Sequence, residues 1–193
     1  MQVAPSNPSV VQAALAAHAA HAGRGGDGAA AEPAAGTPRQ WLRLAAADAV
    51  FALPIDQVRE ILQVGRLTVL PRMPAAIRGV MNLRGSVVPV IDLGARLGVR
   101  EATVGRRSCI IVVEQAAQAD RPALVAGVMV DAVFEVVDVD PAAVSAPPTL
   151  GTCVAPEMLA GVLQLHGRLL HLLDVPRVLS QADLTALVAA HAA

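Results

Sequence analysis

Two stretches of this chain repeat each other at a fixed distance, and that repeat limits the folds open to it. Residues 76–97 and 158–179 align without a gap, 82 positions apart (161 − 79 = 82). Gly79, Val80, Leu83, Gly85, Asp92 and Leu97 meet Gly161, Val162, Leu165, Gly167, Asp174 and Leu179. Most other positions exchange one apolar residue for another. A second block, residues 55–61, recurs as residues 130–136 at a distance of 75 (130 − 55 = 75). Blocks recurring in the same order predict two similar structural halves. The polar residues do not repeat: Asn82, Arg84, Ser86 and Pro89 face Gln164, His166, Arg168 and His171. The scaffold is duplicated and its polar surface is not.

The repeated unit reads as a β-hairpin. Residues 79–83 and 87–91 are short apolar runs rich in Val and Ile, joined at Arg84-Gly85-Ser86. The second run is apolar on both faces, with Val87, Pro89 and Ile91 on one and Val88 and Val90 on the other. A strand covered on both sides belongs to a barrel or sandwich. Pro89 offers no N–H, which predicts an edge or bulged strand. Asp92 caps a helical turn that Gly98 closes. Leu83 and Leu165 are expected to be equivalent core positions.

Other strands are predicted at 41–46 and 49–53, turned at Ala47-Asp48, and at 67–70, 108–114, 124–130 and 133–139. Residues 55–62 read as a short helix or an irregular crossing. Residues 141–148 form a turn-rich connector. Ser180-Gln-Ala-Asp183 resembles a capping box, opening a last helix with Leu184, Leu187 and Val188 on one stripe. The expected fold class is therefore all-β, with short helices and a C-terminal helix.

Length and composition narrow the function. The 193 residues suffice for one domain or two small subdomains. The core must be built from Val, Leu, Ile and Ala, because there are two Phe, one Trp and no Tyr. All 15 basic residues are Arg. A net charge of −1 without a basic stripe argues against a nucleic-acid partner. Cys109 and Cys153 are too few for a disulfide framework or a zinc site. No apolar run is long enough to insert into a membrane, and no export signal is present, so a cytoplasmic protein is expected. Residues 1–38 are rich in Ala, Gly and Pro and read as a disordered tail. The tail's Gly23-Arg-Gly-Gly-Asp-Gly28 has the G-x-G-x-x-G spacing but lacks the flanking strand and helix that would cradle a phosphate. His18 and His21 lack a third ligand.

No catalytic motif with its required spacing is found, and no cofactor or metal is implied. Asp56 and Glu60 are four apart, as are Asp131 and Glu135, and their recurrence points to turn capping or salt bridging. His166 and His171 lie within the second hairpin without a carboxylate or Cys at ligand spacing. Cys109 is a small core hydrophobe. Arg84, a planar charged fork at a rigid hairpin tip, suits a partner's carboxylate. Phe134 stands where the first copy has Arg59, and an exposed Phe there would be a contact residue.

Residues 51–61 (Phe-Ala-Leu-Pro-Ile-Asp-Gln-Val-Arg-Glu-Ile), 77–93 with Asn82-Leu-Arg-Gly85 and Pro89-Val-Ile-Asp-Leu93, and 127–136 together resemble the CheW family of bacterial chemotaxis coupling proteins. The resemblance covers roughly residues 39–179. It implies two SH3-like five-stranded β-barrels around a shared apolar core, within a CheW-like domain of residues 39–182. It implies no enzymatic activity. Its implied partners are the regulatory domain of the histidine kinase CheA and the cytoplasmic tips of methyl-accepting chemoreceptors, in arrays at the inner face of the membrane. Carried over by motif, the receptor-facing groove includes Val58, Glu60, Gly79, Arg84 and Val136. Ala52, where the family often has Gly, Phe134, where a small or polar residue is common, and the long tail depart from the pattern. An adaptor of a related system (twitching motility, surface sensing or second-messenger control) is the alternative. An enzyme with an unfamiliar site is the third, from a different class.

Overall fold

The computed structural model describes residues 37–116, 123–148 and 154–180. These residues form strands β1 (Arg39–Ala46), β2 (Ala49–Pro54), β3 (Val58–Gln63), β4 (Ile77–Leu83), β5 (Ser86–Asp92), β6 (Cys109–Gln115), β7 (Leu124–Val130), β8 (Ala132–Val139), β9 (Leu159–Leu165) and β10 (Arg168–Leu173). Two short helices follow the repeated hairpins, α1 (Leu93–Arg96) and α2 (Val175–Val178). The strands form two five-stranded sheets, β3-β6-β7-β5-β4 and β8-β1-β2-β10-β9. The fold is all-β, as the sequence predicts. The expected C-terminal helix and nearly all of the expected tail lie outside the described residues.

The two copies are not consecutive barrels. Each sheet takes its opening antiparallel pair from one copy and its other three strands from the other: β6 and β7 join β3, β4 and β5, while β1 and β2 join β8, β9 and β10. The block repeated at a distance of 75 is where the chain crosses between sheets, from β2 to β3 and from β7 to β8. The copies join twice in each sheet, antiparallel at β3–β6 and β8–β1 and parallel at β5–β7 and β10–β2. Unfolding one barrel therefore breaks strands out of both copies.

A single antiparallel bridge closes each sheet into a barrel. Thr68, beyond β3, bridges Val80 on the far edge strand β4, with both hydrogen bonds at 2.9 Å. Ser145, beyond β8, bridges Val162 on β9 with the same 2.9 Å pair. The expected strand at 67–70 reduces to that one bridge at Thr68.

Strand alternation creates three cores. Leu42, Leu44, Phe51, Ile91, Ile111, Val128 and Leu173 point between the barrels into one shared core. The facing positions Trp41, Ala52, Leu170 and Leu172 fill one barrel, and Val90, Ile110 and Met129 fill the other. These strands are apolar on both faces because both faces are buried, which explains the near-continuous Val/Ile/Leu runs.

Several expectations need correction. Val87 is 71% exposed, because the tip end of β5 rises clear of both cores. Leu83 and Leu165 are equivalent, each the last residue before a hairpin turn, but only half-buried. β5 is an inner strand rather than an edge; Pro89 is tolerated because pairing with β7 begins only at Val90, and the bulge falls in β4 between Ile77 and Gly79. Residues 55–62 contain one 3-10 turn (Ile55–Gln57) that runs directly into β3.

Candidate partner-binding site

The hairpin tips are two-residue turns. Arg84 (φ 52) and Gly85 (φ 91) both lie in the left-handed region, as do His166 (φ 49) and Gly167 (φ 74). Such turns match strand twist and favour Asn, Asp or Gly at the first position. Arg there carries a steric cost of roughly 1–2 kcal/mol. Asn82 helps by accepting from the Gly85 N–H through Oδ1 at 2.9 Å. Local backbone preference therefore does not explain Arg84.

Arg84 reaches across to β3, where its Nη2 lies 3.2 Å from Glu60 Oε2. The pair is lopsided: the Arg84 side chain is 72% exposed and that of Glu60 only 16%. The second carboxylate oxygen, Oε1, is buried with no hydrogen-bond partner among the described residues. A buried acceptor left unpaired is costly and calls for a donor.

The other candidate residues lie deeper. Val58 is buried in the shared core from β3, and Val136 packs against the same core from β8 in the other sheet. Gly79 is buried beneath the bridging segment, where a Cβ would come within 2.3 Å of the Thr68 carbonyl oxygen. Of these five residues, Glu60 and Arg84 are joined by an ion pair.

The equivalent place on the other barrel has different chemistry. Glu135 stands in the position of Glu60, but its cation is Arg43 from β1 rather than the hairpin tip. The Arg43 guanidinium also lies 5.4 Å from the ring centroid of Phe134, which is half-buried rather than free on the surface. Arg43 went unnoticed in the sequence; its only signal was a charge inside the apolar run Trp41–Ala46.

The remaining charged candidates are structural. Asp56 pairs with Arg39 at 3.3 Å. Asp131 accepts from the Ala47 N–H at 3.0 Å, fixing the β1–β2 turn. Asp48 in that turn takes the Arg100 fork at 3.1 and 3.2 Å, and this hydrogen bonding holds its carboxyl below the usual carboxylate range. His171 Nδ1 lies 3.2 Å from the Val50 carbonyl and its ring packs near Phe51. Among the described residues no cluster of three or more His, Cys, Asp or Glu is arranged to hold a metal.

The family profile described as the CheW-like domain matches residues 40–183. The chain belongs to the CheW-like family. It is 33% identical to the probable chemotaxis protein CheW of Rhizobium etli, over 75% of this chain and 90% of that protein. It is 37% identical to protein FrzA of Myxococcus xanthus, over 70% of this chain and 81% of the relative. The crystal structure of the scaffolding protein TtCheW from Thermoanaerobacter tengcongensis superposes with a TM-score of 0.64 at 28% identity, covering 77% of this chain and 90% of that one. The paired barrels are thus a CheW-like fold. No helix among the described residues is long and apolar enough to cross a membrane.

Proposed function

We propose that this CheW-like protein is a non-catalytic adaptor coupling the cytoplasmic tips of chemoreceptors to the regulatory domain of a CheA-type histidine kinase, in arrays at the inner face of the membrane. Residues 39–182 are the working unit, and residues 1–38 are dispensable for stability and kinase binding. The pair Arg84–Glu60 carries this reading. An Arg occupies a turn position that the backbone would give to Asn or Gly, and the buried carboxylate beside it has one oxygen without a donor. Both features fit a receptor segment that accepts from the exposed Arg84 and closes over its pair with Glu60. Val58, Gly79 and Val136 then hold β3, β4 and β8 in place behind that contact.

The test pairs a thermal melt with receptor pull-down and receptor control of kinase phosphorylation. Arg84→Asn should leave the melting temperature unchanged or slightly higher, because Asn suits the turn. The same change should weaken receptor binding by about 1.5–3 kcal/mol, the worth of a charged hydrogen bond. Arg84→Lys should rescue only part of it, since an ammonium lacks the planar fork. Full binding by Arg84→Asn would move the receptor site elsewhere.

A second reading is a CheW-like adaptor of a non-chemotaxis chemosensory system, serving twitching motility, surface sensing or second-messenger control. It is supported by the 37% identity to FrzA, a relative whose name is not that of a chemotaxis protein. Reconstitution with each candidate kinase encoded in the same genome separates the two.

A further inference from the structure

We propose that the mouth of the barrel built on β1, β2, β8, β9 and β10 is a second docking groove. It would take a segment of a partner protein that presents an Asp or Glu carboxylate beside an aliphatic side chain. A cavity of about 530 Å³ opens there, lined by Arg43, Val50, Glu135, His166, Arg168 and Leu169 among others. That volume lies within the range of formed binding sites, about 300–1,000 Å³. Val50 and the neighbouring leucines supply an apolar wall, and Leu169 is 45% exposed at its rim although it is a large hydrophobe.

Charge selects the occupant. Arg43 is held inside the mouth, its side chain only 10% exposed, by its ion pair with Glu135. That bond uses Nη1 alone, whereas a guanidinium carries five N–H donors. Arg168 adds a second guanidinium at the rim, and Glu135, already engaged, is the only carboxylate among the described residues that line the cavity. The groove is therefore net positive and apolar, and it favours an anionic, aliphatic segment. The repeat sharpens the contrast. The first copy carries Ser86 and Val87 where the second carries Arg168 and Leu169, so the two mouths select different chemistry. This groove does not depend on the Arg84–Glu60 assignment.

A random dodecapeptide library displayed on phage, panned against the full chain, tests the groove. The wild-type sequence should enrich peptides with Asp or Glu within a residue or two of Leu, Ile or Val. A synthetic peptide of the enriched sequence, followed by fluorescence anisotropy, should bind about tenfold or more weakly to Arg168→Glu and to Leu169→Asp. Both substitutions lie on the exposed rim, so both variants should melt with the wild type, and Arg84→Asn should bind the peptide normally. Three results overturn the proposal: no enrichment, a basic or uncharged consensus, or peptide binding that survives both rim substitutions. Self-association of the free chain that Leu169→Asp abolishes also overturns it, because the groove would then serve a second copy.

Discussion

Arg96 of α1 donates to the main-chain carbonyl of Val178, the residue that stands in its own place in the second copy (178 − 96 = 82). The bond from Nε is 2.8 Å long, and Nη2 reaches the Arg177 carbonyl at 3.1 Å. Each short helix is capped alike, Asp92 accepting from the Ala95 N–H and Asp174 from the Arg177 N–H, both at 3.1 Å. Their far ends differ. The last carbonyls of a helix have no intrahelical partner, and those of α2 are met by a buried cation from the opposite copy. The duplicated fold is thus locked by a contact that breaks its own symmetry.

Arg96→Met, which keeps much of the stem and removes the donors, should destabilise the protein by about 1.5–3 kcal/mol. Urea unfolding would measure it. An unchanged midpoint would mean that the clamp contributes nothing net, and that packing alone holds the two helices together.

The barrel seams give a second prediction. Gly79 and Gly161 are equivalent, and each lies under the bridge that closes its barrel. A Cβ at Gly79 would meet the rigid Thr68 carbonyl at 2.3 Å, at a φ of 136. At Gly161 the nearest atom, 2.4 Å away, is Cγ1 of the Val144 side chain. Gly79→Ala should therefore cost about 3 kcal/mol through strain and an opened seam, and Gly161→Ala less. Any receptor-binding loss in Gly79→Ala should come with a fall in melting temperature, unlike that of Arg84→Asn.

The repeat made much of this fold legible. Equal spacing of glycines foretold both hairpins, and Asp92 the first helical turn, because those positions answer to local backbone geometry. Partner choice among strands was not legible. Nothing in the sequence of β1 and β2 says that they pair with the hairpin of the other copy, since apolar strands of similar length fit either sheet. At the site, Arg84 stood out as a charge at a tip, but its link to Glu60 is a tertiary contact between strands. Arg43 stayed hidden because its partner, Glu135, lies 92 residues away (135 − 43).

Leucine position within the hairpins gives a third prediction. Leu83 and Leu165 sit at the open ends of their barrels, half-buried, whereas Leu172 is fully enclosed. Leu172→Ala should cost about 2–5 kcal/mol. Leu83→Ala and Leu165→Ala should each cost about 1 kcal/mol, in proportion to the smaller area lost. Equal costs at all three positions would show that the mouths are sealed more tightly than their exposure indicates.

The last prediction uses an unusual gap in the titration of this chain. There is no Lys and no Tyr, so above about pH 9 few groups other than thiols change charge. Cys109 is buried in the shared core, and burial pushes its thiol up to about 12. An ordinary thiol ionises near 8.5. Because the folded value is the higher one, the stability this thiol contributes is complete below about pH 8.5 and is lost as pH rises toward 12, with a slope approaching ~1.4 kcal/mol per pH unit. A Cys153→Ser background leaves Cys109 as the single thiol. In that background urea unfolding from pH 9 to 11 should show stability falling with pH, and Cys109→Val should flatten the curve. Ellman's reagent at pH 8 should label Cys109 only after denaturant is added, since the thiolate is the nucleophile. Rapid labelling of the native chain, or a slope that persists in Cys109→Val, would show that the shared core admits water at β6.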